Sequence, residues 1–390
     1  MKSSSSRTAS YFLFSLLFAE MLCVCGLGAA WPSGPGTIAE IASMHIPRAS
    51  HSATLLPDGK VLIAGGFSGS GGESEPYRTT ELYDPRSGTF ESAANMTIGR
   101  SGHTATLLKD GKVLIVGGWT GRYNLRRSAE LYDPATNTFV RTGDMVVERA
   151  GSTATLLQDG RVLIAGGEDR EEDKLVSAEI YDPATGKFTL TGSMADPRAA
   201  HTATALEDGT VLIAGGSSGH YPAETVYRSA EIFDPATGEF TRTGALTTAR
   251  HKHAAILLRS GKVLIVGGSD NRDWHGEYAS AEIYDPASGT FGATDSMHTA
   301  RFKIPQAVAL LPNGRVLVAG GGPFAELYDE AKGTFTKVPG SLGAARFFAS
   351  ATLLPSGKAL ITGGYAESGG ELPATRAAWL YQLGAEMASR

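Results

Sequence analysis

A pair of glycines recurs seven times along this 390-residue chain. Each pair follows a short apolar run such as KVLIA at 60–64, whose β-branched residues are typical of a buried strand. A two-residue turn such as Asp58-Gly59 precedes each run and is suited to a tight hairpin. The spacing of 43 to 53 residues indicates a structural repeat. The pairs lie at 65–66, 117–118, 166–167, 215–216, 267–268, 320–321 and 363–364.

Each repeat contains four short stretches with strand character, and no helical period appears beyond residue 30. A four-stranded sheet cannot bury both faces alone, so the repeats must stack around an axis. The sequence predicts an all-β, seven-bladed β-propeller over residues 31–384 and a short tail at 385–390. Residues 36–44 match the fourth strand at 88–96, so the amino-terminal strand is expected to complete the last blade and remove its open edge.

The repeat resembles the Kelch family, in which a glycine pair is followed by a tyrosine and then by a second aromatic residue about six positions later. Phe233 replaces the tyrosine in the fourth repeat. The tyrosine position holds Tyr83, Tyr132, Tyr181, Tyr284, Tyr328 and Tyr381. The second aromatic position, usually Trp in the family, holds Phe90, Phe139, Phe188, Phe240, Phe291 and Phe335.

The amino terminus has the layout of a secretory signal. Lys2 and Arg7 precede an apolar run, and the small residues at 28–30 follow it. We expect cleavage after Ala30 and a monomer that is secreted, periplasmic or attached to the cell surface. A membrane anchor is the alternative, but the apolar run is short and Glu20 interrupts it, so no stable membrane insertion of the mature chain is expected.

An arginine follows four residues after the Met or Leu that ends each blade, and six repeats carry a glutamate in the third strand. A pattern this regular favours a structural role, with Arg–Glu pairs at the blade junctions. The alternative is a ring of guanidiniums that binds an anion at the channel mouth. The arginines are Arg48, Arg100, Arg149, Arg198, Arg250, Arg301 and Arg346. The glutamates are Glu81, Glu130, Glu179, Glu231, Glu282 and Glu326.

A histidine follows three residues after four of these arginines: His51, His103, His201 and His253. We expect these side chains to line a wet central channel and to be available to a ligand. A metal ion requires imidazoles that converge on one point, and positions spread around a sevenfold ring do not converge. No metal site is therefore expected.

The connections after the glycine pairs vary in length, so binding residues are expected there. The loop of the fifth repeat combines Arg272, Trp274 and His275, flanked by Glu277, and its indole is suited to stacking on a sugar or anchoring a peptide. The alternative is that such aromatic residues cover blade edges. Comparable candidates in other loops are Trp119, Arg122, Tyr123, His220 and Tyr221.

The chain is also similar to the propeller of the galactose and glyoxal oxidases, whose copper centre includes a Cys cross-linked to a Tyr. Here Cys23 and Cys25 both lie in the predicted signal, so the resemblance implies the fold without the oxidase and no cofactor is expected. The net charge of −5, without basic runs, argues against nucleic acid as a partner. We therefore expect a binding scaffold for a glycan or protein rather than an enzyme. The alternative is a carbohydrate-active epimerase, lyase or hydrolase that uses loop Arg and Glu residues.

Overall fold

The computed structural model describes residues 34–69, 75–121, 124–220, 223–367 and 373–384. Their strands form seven four-stranded antiparallel sheets, one for each repeat. The predicted all-β fold with seven blades is therefore confirmed. The blades are numbered here from 1 to 7 in chain order, beginning with the glycine pair at 65–66.

Each blade begins with an innermost strand, and each innermost strand contacts those of both neighbouring blades. These contacts run from blade to blade and return to the first, so the seven sheets form a closed ring. Thr and Ala predominate in these strands, because small side chains fit where strands converge on an axis. The innermost strands are Ser52–Leu55, Thr104–Leu107, Thr153–Leu156, Thr202–Ala205, Ala254–Leu257, Val308–Leu310 and Ser350–Leu353.

The second strand of every blade is completely buried, because neighbouring blades cover both of its faces. This explains the uninterrupted Val-Leu-Ile runs in the sequence, since a strand buried on both sides does not alternate polar and apolar residues. The second strands are Val61–Ala64, Val113–Val116, Val162–Ala165, Val211–Ala214, Val263–Val266, Val316–Val318 and Ala359–Thr362.

The third strand of each blade carries the tyrosine position, or its replacement Phe233, and pairs with the second strand. In blade 1 the register places Tyr83 opposite Val61 on one side and opposite Phe90 of the fourth strand on the other. The third strands are Thr80–Asp84, Ala129–Asp133, Ala178–Asp182, Ala230–Asp234, Ala281–Asp285, Glu326–Asp329 and Ala378–Gln382.

The fourth strand is the outer edge of each blade, and its least exposed side chain is the aromatic residue in blades 1 to 6 and Ile38 in blade 7. In blade 1 the Tyr83 and Phe90 ring centroids lie 4.9 Å apart, and both rings pack against residues of blade 7. Phenylalanine therefore fills the gap between blades where the family usually has tryptophan. The fourth strands are Thr89–Ser92, Thr138–Arg141, Lys187–Leu190, Glu239–Arg242, Thr290–Ala293, Thr334–Lys337 and, for blade 7, Thr37–Glu40.

The amino-terminal strand closes the ring as expected from the sequence. Thr37–Glu40 pairs antiparallel with Ala378–Gln382, which places Ile38 opposite Tyr381. The last blade thus receives its outer strand from the start of the propeller, so its third strand is not left as an open edge.

The glycine pairs join neighbouring blades through their backbone. Gly66 donates its N–H to the carbonyl of Arg100 in the next blade at 2.8 Å, and Gly364 donates to Arg48 at 3.0 Å across the seam. A Cβ on Gly65, which has a φ of 67°, would collide with that Arg100 carbonyl. The repeat therefore requires glycine where the chains of two blades approach each other this closely.

Three smaller elements occur in the variable loops. Trp119–Gly121 pairs with Asn124–Leu125 in blade 2, and Ser217–Ser218 pairs with Thr225–Val226 in blade 4. A short 3-10 helix, Asp273–His275, lies in the loop of blade 5. Because antiparallel connections alternate between the two ends of a sheet, all the variable loops and the crossovers between blades share one face, called here the variable-loop face.

Candidate functional site

Six of the seven repeating arginines form buried ion pairs with the repeating glutamates. The Nη2–Oε1 distance is 2.8 Å for Arg149 and Glu179, and both side chains are fully buried. Glu179 also accepts the backbone N–H groups of Val146 and Val147 in the crossover that enters the blade. Each pair therefore anchors a crossover to its blade, and the six guanidiniums are not exposed as an anion-binding ring. The other pairs are Arg48–Glu81, Arg100–Glu130, Arg198–Glu231, Arg250–Glu282 and Arg301–Glu326.

Blade 7 departs from this pattern because Trp379 occupies the glutamate position. The guanidinium carbon of Arg346 lies 5.5 Å from the centroid of the Trp379 ring, and its Nε donates to the carbonyl of Leu342 at 3.1 Å. Arg346 is half-buried, whereas the other six are completely buried. A cation–π contact thus replaces the ion pair in the blade that the amino terminus completes.

The structure buries the four repeating histidines instead of placing them along a wet channel. The Nε2 of His103 lies 3.0 Å from Ser52 Oγ in the preceding blade, and that of His51 lies 2.9 Å from Thr362 Oγ1 across the seam. Burial, reinforced by the neighbouring arginines, lowers the pKa of His51, His103 and His201 to about 3. The histidines are buried because each ring fills the space beside the first glycine of the preceding blade's pair. Glycine has no side chain to occupy that space.

A second ring of seven residues, called here the mouth ring, lies two positions after each arginine. Every member has a positive φ, from 52° to 61°. Backbone hydrogen bonds connect neighbouring members, such as Gly102 N–H to the Ser50 carbonyl at 3.1 Å. Because all seven positions share this conformation, the positive φ is a structural feature of the repeat and does not mark a functional site. The members are Ser50, Gly102, Gly151, Ala200, Lys252, Lys303 and Phe348.

The mouth ring is asymmetric in its side chains. Blades 1 to 4 contribute only small residues, whereas blades 5, 6 and 7 contribute Lys252, Lys303 and Phe348. This change coincides with the short connection of blade 6 at 322–325, which leaves a cleft between the loops of blades 5 and 7. The cleft has a volume of about 530 Å³. Its walls include Trp274, His275, Glu277, Pro323, Phe347 and Glu367.

An aromatic cluster supports the wall that blade 5 contributes to the cleft. The Trp274 indole meets Phe302 and Phe347 nearly edge-on, with ring centroids 5.0 and 4.8 Å away. The ammonium of Lys303 lies 4.0 Å from the Trp274 centroid and covers that face of the ring. Burial lowers the pKa of Lys303 to about 8, against the opposing effect of Asp273. The indole is therefore held in place by contacts from blades 6 and 7.

Asp273 links the two mouth-ring lysines electrostatically. Its carboxylate lies 2.8 Å from Lys252 Nζ and 3.5 Å from Lys303 Nζ. These cations hold the pKa of Asp273 below its usual value, although burial opposes them. The buried imidazole of His251 lies 3.7 Å from the same carboxylate. The cluster therefore sets two lysines against one carboxylate, and it positions the 3-10 helix that presents Trp274.

The structure brings together only two of the residues proposed as ligand contacts from the sequence. Trp274 and His275 both line the cleft. Arg272 is in the same loop but turns away to pair with Asp270 at 2.6 Å. Trp119 lies in the hairpin of blade 2, and His220 of blade 4 lies 3.4 Å from Asp173 of blade 3. Arg122, Tyr123 and Tyr221 lie outside the described residues.

Sequence reasoning missed Lys303, Phe347 and Glu367, which lie in or behind the cleft walls. For Lys303 the available signal was the position two residues after each arginine, where small residues give way to Lys252, Lys303 and Phe348. A comparison of the repeats at that position identifies blades 5 to 7 as the irregular part of the mouth.

Membrane spans and metal sites are two other features to consider in the described residues. No helix in that part of the chain is long and apolar enough to cross a bilayer. Over the same residues, no three His, Cys, Asp or Glu side chains are grouped so that they could hold a metal ion.

The closed ring of four-stranded blades, with its glycine pairs and buried Arg–Glu pairs, defines a repeat-built β-propeller. A family model described as the KLHDC2/KLHL20/DRC7 Kelch-repeats domain matches residues 102–321, and the Kelch motif model matches residues 48–97. The chain belongs to the Kelch-repeat family. No curated protein matches it.

Two solved structures illustrate the fold similarity. A fungal alcohol oxidase of the AA5 family, described in complex with copper, is 16% identical with a TM-score of 0.68, covering 89% of this chain and 76% of that chain. The structure of YjhT is 14% identical with a TM-score of 0.54, covering 63% of this chain and 84% of that chain. At these identities the likeness shows the fold alone. The described residues contain no cysteine.

Proposed function

We propose that this chain is a binding scaffold that recognises a protein partner through the variable-loop face, with the cleft between blades 5 and 7 at the centre of the contact surface. The observation that carries the proposal is the break in sevenfold symmetry at this cleft. Its volume of about 530 Å³ is within the range typical of ligand pockets, roughly 300–1,000 Å³. The family assignment supports the proposal, because Kelch propellers generally mediate protein interactions.

A protein segment fits the cleft better than a sugar ring does. Lys303 already covers one face of the Trp274 indole, and Phe302 and Phe347 meet its edges. This leaves less of the ring for stacking on a sugar, whereas a partially exposed, immobilised indole is a common anchor in protein interfaces. A glycan is the other ligand class under this proposal, and the same experiment includes it.

The proposal extends to export of the protein. It rests on Lys2, Arg7 and the apolar run that follows them, which lie outside the described residues. Expression in a secreting host, followed by intact-mass analysis, is expected to give a mature chain that starts at Trp31. A retained chain with residues 1–30 intact would contradict export and leave the binding proposal in place.

A selection experiment tests the binding proposal. Peptides from a random phage library and a glycan array are screened against the purified propeller, and positive probes are then tested on two variants. Ala344→Trp fills the cleft, and Ala236→Trp places the same bulk on an exposed turn of the opposite face. We expect selected peptides to lose at least tenfold in affinity on Ala344→Trp and to bind Ala236→Trp like the parent.

Both variants must keep the parent's melting temperature for the comparison to count. If Ala344→Trp lowers it, Ala366→Trp in the wall from blade 7 takes its place. Peptides that bind both variants equally would contradict the cleft as the site. Glycans in place of peptides among the cleft-dependent probes would change the partner class.

A further inference from the structure

We propose, on the basis of the proposed function, that the cleft accepts a basic side chain of the partner, a lysine or arginine flanked by apolar residues. Two carboxylates line the cleft from different blades: Glu277 from the loop of blade 5 and Glu367 from that of blade 7. The cleft is also lined by apolar side chains, including Trp274 and Phe347. Such a site can bind an ammonium or guanidinium through charge while its walls contact the alkyl stem.

Among the described residues the two carboxylates have no direct partner, although Lys303 and His275 act on Glu277 through charge. Within the described part of the chain, neither Glu277 nor Glu367 forms a side-chain hydrogen bond or an ion pair with another residue. Neither nearby lysine forms an ion pair with these two glutamates. The Asp273 carboxylate lies 2.8 Å from Lys252 Nζ and 3.5 Å from Lys303 Nζ. Both lysines thus make their direct ion-pair contacts with Asp273, and Lys303 acts on Glu277 only from a longer distance.

The contrast with the rest of the molecule makes Glu277 the informative carboxylate of the two, since Glu367 is exposed. Six glutamates in the frame are buried with an arginine each, such as Glu179 with Arg149 at 2.8 Å. Glu277 is only partly exposed, and burial holds its pKa above the usual value despite the opposing effect of Lys303. A partially desolvated carboxylate with no cation in direct contact gains from an incoming one, because the desolvation is already partly complete.

The remaining groups in the cleft do not favour an anionic ligand. His275 is the basic residue among those that line it, and its side chain is exposed. Lys303 directs its ammonium to the Trp274 ring and to Asp273. An acidic partner segment would place its charge near Glu277 and Glu367, and like charges at an interface disfavour binding.

The cleft-dependent peptides from the selection provide the probes for the test. The best of them is resynthesised with its basic residue replaced by norleucine, which keeps the alkyl stem and removes the charge. We expect the affinity to fall about tenfold, as for the loss of a charge-assisted hydrogen bond, and to depend less on salt concentration afterwards. The protein variant Glu277→Gln should reproduce both effects with the original peptide.

The matched control is Glu239→Gln, which removes the same charge from an exposed position on the outer strand of blade 4. It should leave the affinity unchanged. Glu367→Gln tests the opposite wall and should weaken binding in the same direction as Glu277→Gln. All three variants should keep the parent's melting temperature, because none of these carboxylates forms an ion pair with another described residue.

The outcomes separate this inference from the proposed function. Cleft-dependent peptides without a basic residue, or with equal affinity for the parent and Glu277→Gln, overturn the inference and leave the binding function in place. Peptides indifferent to Ala344→Trp overturn the proposed function itself. Equal losses on Glu277→Gln and Glu239→Gln indicate a long-range charge effect and also overturn the inference.

Discussion

The frame of the propeller and its mouth at blades 5 to 7 use similar residue types for opposite purposes. In the frame, carboxylates and imidazoles are buried with partners from the same or an adjacent repeat, as in Arg149–Glu179 and His103–Ser52. At the mouth, Glu277 and Glu367 line a cleft and are unpaired within the described residues. The comparison teaches that regularity across the repeats marks structural residues, and departure from it marks the candidate site.

The largest expected effect comes from breaking a frame ion pair. Arg149→Leu leaves the buried carboxylate of Glu179 without a counter-charge, and we expect it to lower the free energy of unfolding by about 3–5 kcal/mol. The control is Arg346→Leu in blade 7, where no glutamate is left behind and the loss should be clearly smaller. Chemical denaturation of both variants measures the difference. Equal losses would mean that the ion pairs do not distinguish the six regular junctions from the seventh.

A smaller effect is expected from the pH dependence of the buried histidines. Burial lowers the pKa of His201 to about 3 in the folded protein, whereas in the unfolded chain its pKa is near the ordinary histidine value of about 6.5. As the pH falls below 6.5, only the unfolded state takes up the proton, so stability is lost on acidification. At pH 5.5 the free energy of unfolding is lower than at neutral pH by about 1.4 kcal/mol for each such imidazole.

The measurement is the change in unfolding free energy between pH 7.5 and pH 5.5. His201→Gln should lose about 1.4 kcal/mol less over this range than the parent does. His275→Gln, which alters an exposed side chain, should follow the parent. Parallel pH profiles for the parent and His201→Gln would show that this histidine is not buried as a neutral ring.

The sequence was sufficient for the frame because each frame residue recurs at a constant position. The glycine pairs predicted the number of blades, and the match between residues 36–44 and 88–96 predicted the closure that Thr37–Glu40 makes. The histidines were expected on the innermost strands and facing the channel, but they lie directly before those strands and are buried. Their position beside a glycine of the preceding blade depends on packing between repeats, which strand alternation does not reveal.

The cleft was only half predicted for a related reason. Trp274 and His275 stood out as an aromatic residue and a histidine in a polar loop. Phe347 and Glu367 lie about 70 to 90 residues further along the chain and meet them only because the short connection of blade 6 leaves space between the loops. That contact depends on the length of a neighbouring loop and not on the chemistry of either residue.

The most direct test of the account is hydrogen–deuterium exchange of the propeller with and without its best selected peptide. The account predicts that protection on binding concentrates in residues 273–278, 321–323 and 344–348, while the turns of the opposite face exchange unchanged. Protection spread evenly over the seven blades, or concentrated at the opposite turns, would contradict a binding site built where the repeats depart from one another.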